Sequence, residues 1–188
     1  CLSDAIREKN GLPPVLVGGG AVSYYSDDKY ATDDFDILCP VEAETAVWVL
    51  REWGFENAAG GSIFSRLEDD LTVHLCGIGE VDEDPFKTGR LNNVCADGKF
   101  VRVVSFEDAL LDRLKACVHW KHAPSCEQFE GVLEERTASG GSVDTGYMLS
   151  CLEREGDGES YGYLRDALSN DADRESGETN NFSGEPGL

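Results

Sequence analysis

Two short segments, VGGGA at residues 17–21 and TDDFDI at residues 32–37, form the most informative pattern in this chain of 188 residues. The first follows a short apolar run at 15–17, which is typical of a buried strand. Backbone N–H groups next to glycines can approach an anion closely, because no Cβ stands in the way. This segment therefore predicts a strand, a glycine turn able to face a phosphate, and a helix over 21–25.

The second segment places two carboxylates at a predicted strand over 35–38, one directly before it and one within it. Asp34 follows Gly18 by 16 residues, and Asp36 comes two residues later. Side chains at i and i+2 of a strand point to the same face, about 6–7 Å apart along the chain. Mg²⁺ prefers oxygen ligands and often takes one or two carboxylates plus substrate phosphates. The pattern thus indicates a site for a hard divalent cation opposite an anion-binding turn.

The remaining sequence predicts an α/β half followed by a helical half. The predicted elements are a helix at 1–10, a helix at 42–53, a hairpin at 62–66 and 71–76, a loop at 77–98 and a strand at 100–104. A capping box at 105–108 opens a series of helices. We expect an α/β domain over 1–104, a helical part over 105–169 and a disordered tail over 170–188, where apolar residues almost vanish.

The charge of the chain limits its partners. It has 37 Asp and Glu against 16 Lys and Arg, a formal net charge of -21. Such a chain repels phosphate backbones and anionic membranes, so an extended nucleic-acid surface is not expected. No apolar run approaches the roughly 20 residues that a membrane-spanning helix needs. An anionic ligand such as a nucleotide would need a local cation to reverse the field.

The seven cysteines are odd in number, scattered and without a CxxC motif. This usage favours a reducing compartment over a disulfide framework, and no export signal opens the sequence, so we expect a cytoplasmic protein. A second set of metal-ligand types fits no common zinc motif by its spacing: Cys117, His119, His122 and Cys126. The three tryptophans lie in helical apolar stripes and are predicted to be core residues: Trp48, Trp53 and Trp120.

The glycine turn followed by an acid–apolar–acid triplet resembles the nucleotidyltransferase superfamily of the DNA polymerase β type. The sequence of the motif looks most like that of small stand-alone members, including abortive-infection toxins of type IV toxin–antitoxin systems. The resemblance covers roughly residues 12–170. It implies a nucleotidyltransferase-like mixed sheet with flanking helices and a helical C-terminal part. By this resemblance, Gly18 and Gly19 hold the triphosphate, Asp34 and Asp36 bind Mg²⁺ or Mn²⁺, and an antitoxin protein is a possible partner.

The chain departs from this family where a third carboxylate is expected. The matching stretch is LTVHL at 71–75, so His74 stands at the acidic position. Imidazole is a poorer ligand for Mg²⁺ than for Mn²⁺ or Zn²⁺, but with an unperturbed pKa of about 6.5 it could act as a catalytic base. Alternatively, His74 is a structural residue of the sheet, or Asp70 reaches the site in a different strand register.

Basic side chains are few, and those after Ser105 are candidates for phosphate binding. Lys115 is the main candidate, with Arg113, Lys121 and Lys29 as further ones. Each could stabilise charge that develops during phosphoryl transfer, or could pair with one of the many acids on the surface.

Two functions follow from the resemblance and the departure. The first is Mg²⁺-dependent transfer of a nucleoside monophosphate from a nucleoside triphosphate to a hydroxyl group of tRNA, a protein or a small molecule such as an aminoglycoside. The alternative is a catalytically degenerate nucleotidyltransferase fold that binds a nucleotide or a protein.

Overall fold

The structure is a computed structural model that describes residues 1–8, 13–39, 43–57, 61–77 and 89–178. Its strands are β1 (Val15–Val17), β2 (Asp34–Leu38), β3 (Ile63–Arg66), β4 (Leu71–Cys76), β5 (Leu91–Ala96) and β6 (Lys99–Val104). Its helices are α1 (Leu2–Glu8), α2 (Gly18–Tyr25), α3 (Ala43–Glu52), α4 (Phe106–Trp120), α5 (Ala123–Ala138), α6 (Thr145–Glu155) and α7 (Gly158–Glu178). This order confirms the predicted α/β class, in which only helices follow the last strand.

The strands of the described ranges form one mixed sheet in the order β3-β4-β2-β1-β6-β5. β1 runs antiparallel to β2 and parallel to β6, and β2 runs parallel to β4. The two outer pairs, β3 with β4 and β5 with β6, are antiparallel hairpins. The predicted mixed sheet is therefore confirmed, and the strand that carries the two aspartates lies between β1 and β4 in its interior.

An apolar cluster packs on one face of β2. Its buried members come from α1, α3, the segment after α3, β3 and β4: Ile6, Ala46, Leu50, Phe55, Phe64, Val73 and Leu75. Ile37 and Cys39 are partly buried and pack against this cluster. Because successive side chains of a strand alternate between faces, Asp34 and Asp36 are directed to the opposite face.

Tyr25 anchors the end of α2 to the sheet. Its hydroxyl donates a hydrogen bond to the carbonyl of Val104 at 2.6 Å and accepts one from the Asn92 amide. Burial is the main cause that raises the pKa of Tyr25 to about 12, so the phenol stays protonated near neutral pH. The helix that starts at the glycines is thus fixed at its far end.

β5 lies inside the stretch 77–98, which the sequence analysis interprets as a loop, and that interpretation is wrong for this strand. Asp97 and Gly98 join β5 to β6 with φ angles of 50° and 72°. An Asp-Gly pair with both φ angles positive is typical of a tight hairpin turn, so this dipeptide was the available signal for the strand. The central part of the predicted loop, 78–88, lies outside the described residues.

The prediction that the three tryptophans are core residues is also wrong. Trp48, Trp53 and Trp120 are 48%, 40% and 78% exposed. On α3, the buried residues are Ala46, Val49 and Leu50, and Trp48 falls between the turns of that stripe. Trp53 and Trp120 stand at or beyond the last residue of their helices.

The chain divides into two compact units, residues 1–109 and 110–188. In the second unit, one large apolar side chain or more from each helix is fully buried: Leu114, Phe129, Met148, Leu152 and Leu164. Asp144 caps the start of α6 by accepting a hydrogen bond from the Tyr147 N–H, and Gly156 ends that helix at a φ of 74°. These are the preferred residue types for the two ends of a helix.

Cys117 and Cys126 form a disulfide that links α4 to α5. The cysteine spacing lacks a recognisable framework and predicts no disulfide, and that prediction is wrong for this pair. The helix turn at 121–122 brings the two residues to a Cα–Cα distance of 4.8 Å, which is a tertiary effect. A cytoplasmic location stays a prediction from the sequence.

Asp157 connects the start of α7 to α4. One carboxylate oxygen accepts the Ser160 N–H at 3.1 Å, and the other lies 2.7 Å from Nε2 of His119. Burial acts to raise the pKa of Asp157, but the hydrogen bonds from His119 and Ser160 outweigh it and lower this pKa. A carboxyl group with a lowered pKa stabilises the fold above its unfolded pKa of about 3.9, and the effect is lost as the pH falls through the folded value.

We therefore expect Asp157→Ala to lower the free energy of unfolding by about 1 kcal/mol at pH 7, the usual cost of a lost N-cap. The difference from the wild type should shrink at pH 3, as measured by chemical denaturation at both pH values. Asp157→Asn is the control, because it retains a capping oxygen and removes the charge. An equal difference at both pH values would contradict the assigned role of the charge.

α7 continues to Glu178 and therefore enters the stretch 170–188 that the composition predicts to be a disordered tail. Residues 179–188 lie outside the described residues. Among the helices described, none is both long and apolar enough to cross a membrane.

Candidate nucleotide and metal site

β2 brings Asp34 and Asp36 to the same face of the sheet. Its register with β4 places Asp34 opposite Thr72 and Asp36 opposite His74. The Asp34 side chain is exposed, and the Asp36 side chain is 36% exposed. Both carboxylates are accessible to a ligand from solvent, as a cation-binding pair requires.

Gly18 lies directly against the carboxylate of Asp36. It has a φ of +57°, and a Cβ built on it would stand 2.2 Å from Oδ2 of Asp36. Only a residue without a side chain can combine this backbone conformation with this approach. The glycine therefore positions the start of α2 beside the acidic pair.

α2 begins at Gly18 itself, whereas the sequence analysis starts this helix at residue 21. The glycines thus form the first turn of the helix instead of a separate turn before it. A Cβ on Gly19 would meet only the Thr32 side chain, at 3.7 Å or more. The first-turn N–H groups of a helix lack partners within the helix and attract anions, so Gly18 and Gly19 are placed suitably for a phosphate.

Thr32 shapes the entry into β2. Its hydroxyl oxygen accepts the Asp34 N–H at 3.2 Å and lies at the same distance from the Asp34 carbonyl. Since the same side chain stands nearest to Gly19, it links the two halves of the motif. Thr32 belongs to the motif in the sequence, but its contacts with both segments became visible only in the structure.

His74 contacts Asp36 directly. Its Nδ1 lies 3.2 Å from Oδ1 of Asp36, and the imidazole is 35% exposed. Asp70 belongs to the turn between β3 and β4, with a φ of +56°, so it lies before the start of the β4 ladder. The alternative register in which Asp70 reaches the site is therefore wrong, and His74 is the residue that lies opposite Asp36.

Cys76 is a further member of the site that the sequence reasoning missed. Its Sγ lies 3.5 Å from Nδ1 of His74, and the residue is 8% exposed. Asp36, His74 and Cys76 offer one carboxylate oxygen, one imidazole nitrogen and one thiol sulfur within 4.8 Å of one another. The alternation of β4 was the available signal, because a strand that directs His74 to this face also directs Cys76 there.

The donor atoms of the site suit two different kinds of cation. The carboxylate oxygens of Asp34 and Asp36 fit a hard cation such as Mg²⁺. Nitrogen and sulfur donors from His74 and Cys76 do not fit Mg²⁺, because they suit softer ions such as Zn²⁺. The two carboxylates thus suit a hard cation, whereas the neighbours of Asp36 on β4 add a nitrogen and a sulfur donor instead of a third carboxylate.

Lys115 lies in the second unit, where its Nζ is 2.6 Å from a carboxylate oxygen of Glu155. Arg113 pairs with Asp112 in the same unit. The phosphate-binding role of Lys115 stays a prediction. Cys117 and Cys126 of the second set of metal-ligand types are joined to each other and are not available to a metal ion.

Comparisons with known proteins rest on structure. No protein-family model matches this chain, and no curated protein sequence matches it significantly. The crystal structure of an antigenic nucleotidyltransferase-like protein from Paracoccidioides brasiliensis superposes with a TM-score of 0.57 at 13% identity, covering 89% of this chain and 88% of that one. The chain has a nucleotidyltransferase fold.

A second solved structure agrees with this assignment of the fold. The solution structure of the antibiotic-resistance factor ANT(2'')-Ia superposes with a TM-score of 0.50 at 18% identity, covering 95% of this chain and 92% of that one. Both superpositions extend over the α/β and the helical parts of the sequence. At these identities the nucleotidyltransferase fold is shared, and the residues of the site have to be interpreted from their own chemistry.

Proposed function

We propose that this protein transfers a nucleoside monophosphate from a nucleoside triphosphate to a hydroxyl group, with a divalent cation as cofactor. The observation that carries the proposal is the close approach of Gly18 to Asp36 at the start of α2. It sets an anion-binding helix start beside a carboxylate pair within a nucleotidyltransferase fold. A cation held there would join the two negative partners and reverse the local field of a chain with a net charge of -21.

Each residue has a role in this proposal. Asp34 and Asp36 supply oxygens for Mg²⁺, which when bound neutralises phosphate charge and polarises the α-phosphate. The N–H groups of the first turn of α2 hold the β- and γ-phosphates. With its proton on Nδ1, His74 donates to Asp36, and its Nε2 is then able to take a proton.

The transfer balances with these groups. The acceptor oxygen forms a bond to the α-phosphorus, and the bond between this phosphorus and the bridging oxygen breaks. Pyrophosphate leaves, and the proton of the acceptor hydroxyl passes to Nε2 of His74. In this scheme the imidazole performs the proton transfer, and its contact with Asp36 orients the ring, as carboxylates commonly do for catalytic histidines.

The acceptor is proposed to be a cationic small molecule. A net charge of -21 attracts cations and repels a polyanion such as tRNA over long distances. The similarity of fold to an antibiotic-resistance factor supports including cationic antibiotics among the acceptors tested. The sequence of the glycine motif favours a competing proposal. In it, the protein acts as a toxin on tRNA or protein and has an antitoxin partner.

A second candidate function is nucleotide binding without transfer. The observation that favours it is His74 at the position of the missing carboxylate, in contact with Asp36. A neutral or cationic group there reduces the negative charge available to a second cation. Such a protein would bind a nucleoside triphosphate and release no pyrophosphate.

Calorimetric titration with ATP, CTP, GTP and UTP, with and without Mg²⁺, tests both functions. We expect one nucleotide to bind at least about tenfold more tightly with Mg²⁺, equivalent to about 1.4 kcal/mol. Pyrophosphate release is then measured with aminoglycosides, tRNA and protein as acceptors. Binding without release on any acceptor would favour the binding module, and no metal-dependent binding of any nucleotide would contradict both functions.

A further inference from the structure

The side chains of Asp36, His74 and Cys76 form a group of three different donor types on one sheet face. All three ligand atoms lie within 4.8 Å of one another. The carboxylate of Asp36 is shared with the proposed Mg²⁺ site, whereas the imidazole and the thiol have no function there as ligands. A nitrogen and a sulfur donor beside a carboxylate suit a softer ion than Mg²⁺.

Two of the three separations between these atoms are close to those around a single small ion. Zn²⁺ binds oxygen and nitrogen at about 2.0–2.2 Å and sulfur at about 2.3 Å, so tetrahedral geometry puts ligand atoms about 3.3–3.8 Å apart. The observed distances are 3.2 Å between His74 and Asp36 and 3.5 Å between Cys76 and His74. The remaining separation, between Asp36 and Cys76, is at most 4.8 Å, and any excess over the tetrahedral distance would have to be closed by side-chain rotation.

The register of the sheet builds this group. Asp36 is paired with His74, and Leu38 is paired with Cys76, in the parallel ladder of β2 and β4. Two ligands thus come from alternate positions of one strand and the third from the adjacent strand. Cys76 is buried, while Asp36 and His74 are about one third exposed. An ion bound to all three would therefore contact the protein on its inner side and solvent on its outer side.

We propose that Asp36, His74 and Cys76 bind one Zn²⁺ or chemically similar ion, with an open fourth position. Binding uses Nδ1 of the neutral imidazole, whose proton then lies on Nε2, and releases the Cys76 thiol proton to solvent. Zn²⁺ in this place takes Asp36 from Mg²⁺ and leaves His74 unable to accept a proton at Nε2. Inhibition of nucleotidyl transfer by Zn²⁺ follows, and this consequence alone rests on the proposed function.

The test uses the full-length protein, freed of metal with EDTA and kept anaerobic without reductant so that the Cys117–Cys126 disulfide stays closed. Co²⁺ serves as the probe, because a thiolate ligand produces a sulfur-to-cobalt charge-transfer band that carboxylates and imidazoles do not. We expect one equivalent of Co²⁺ to produce this band and one equivalent of Zn²⁺ to remove it. The absence of the band in the wild-type protein would overturn the proposal.

Cys39 provides a matched control. Its N–H donates to the carbonyl of Cys76, yet its side chain packs on the apolar face of the sheet, where burial raises its pKa to about 11. We expect Cys76→Ser to lose the band and to weaken Zn²⁺ binding at least tenfold, while Cys39→Ser retains both. His74→Asn, at a partly exposed position, should weaken Zn²⁺ binding similarly, and it covers the case in which the Cys76 variant fails to fold.

Nucleotide binding with Mg²⁺, measured on the same preparations, separates this proposal from the proposed function. Zn²⁺ binding without nucleotide binding would contradict the transferase proposal and leave the zinc site standing. If nucleotide binds but the Co²⁺ band persists in Cys76→Ser, the band comes from another cysteine. That result would contradict the zinc site and leave the transferase proposal standing. If both hold, one equivalent of Zn²⁺ should inhibit transfer.

Discussion

Asp36→Asn is expected to abolish metal-dependent nucleotide binding and to reduce nucleotidyl transfer by about 10²–10³-fold, the usual loss when one preorganised electrostatic group is removed. Asp36 is the residue on which the proposed site converges. Its Oδ2 faces Gly18 at the start of α2, and its Oδ1 faces Nδ1 of His74. The amide has nearly the same shape, so the substitution removes charge while leaving the packing in place.

Two further variants make this expectation specific. Asp34→Asn removes the neighbouring oxygen donor on the same face, and we expect a loss of the same direction. Asp33→Asn removes an equal charge from an exposed side chain one residue before the strand, and should leave activity within twofold. Isothermal titration and pyrophosphate release measure the outcome, and circular dichroism checks the fold. Unchanged nucleotide binding in the Asp34→Asn/Asp36→Asn double variant would refute the assigned site.

The parts of the fold that the sequence predicted depend on local patterns. Three elements were recognisable from the spacing of their own apolar residues, without information on their neighbours. They are β1 at 15–17, β2 around 35–38 and α3. The glycine and aspartate segments were also recognisable as neighbours, because one helix and a short connection join the end of β1 to the start of β2. β5 was missed, since two asparagines weaken its alternation and only the Asp97–Gly98 turn marks it.

The parts of the site that the sequence left open depend on tertiary structure. Whether Asp70 or His74 faces Asp36 is a question of strand register, and only the pairing of β2 with β4 answers it. The role of Cys76 was hidden because a cysteine at the end of an apolar strand is as typical of a core as of a metal site. The disulfide between Cys117 and Cys126 required the path of the chain between two helices.

Gly18→Ala is the second substitution with a large expected effect, and it tests the geometry that joins the two segments. An alanine at a φ of +57° costs about 1–2 kcal/mol in backbone strain alone. Its Cβ would also stand 2.2 Å from Oδ2 of Asp36, so this carboxylate has to move. Because a shift of about 1 Å in a reacting group can cost 10²-fold in rate, we expect transfer to fall by about that factor.

Gly19→Ala is the matched control for this prediction. A Cβ there would meet Thr32 only at ordinary van der Waals distances, starting at 3.7 Å, and no positive φ opposes it. The loss should therefore be confined to the Gly18 variant, in both thermal stability and metal-dependent nucleotide binding. If both alanine variants lost binding equally, a general need for open space around the phosphates would explain the glycines. If only Gly18→Ala lost it, the contact with Asp36 would be the cause, and the anion-binding turn and the carboxylate pair would act as one unit.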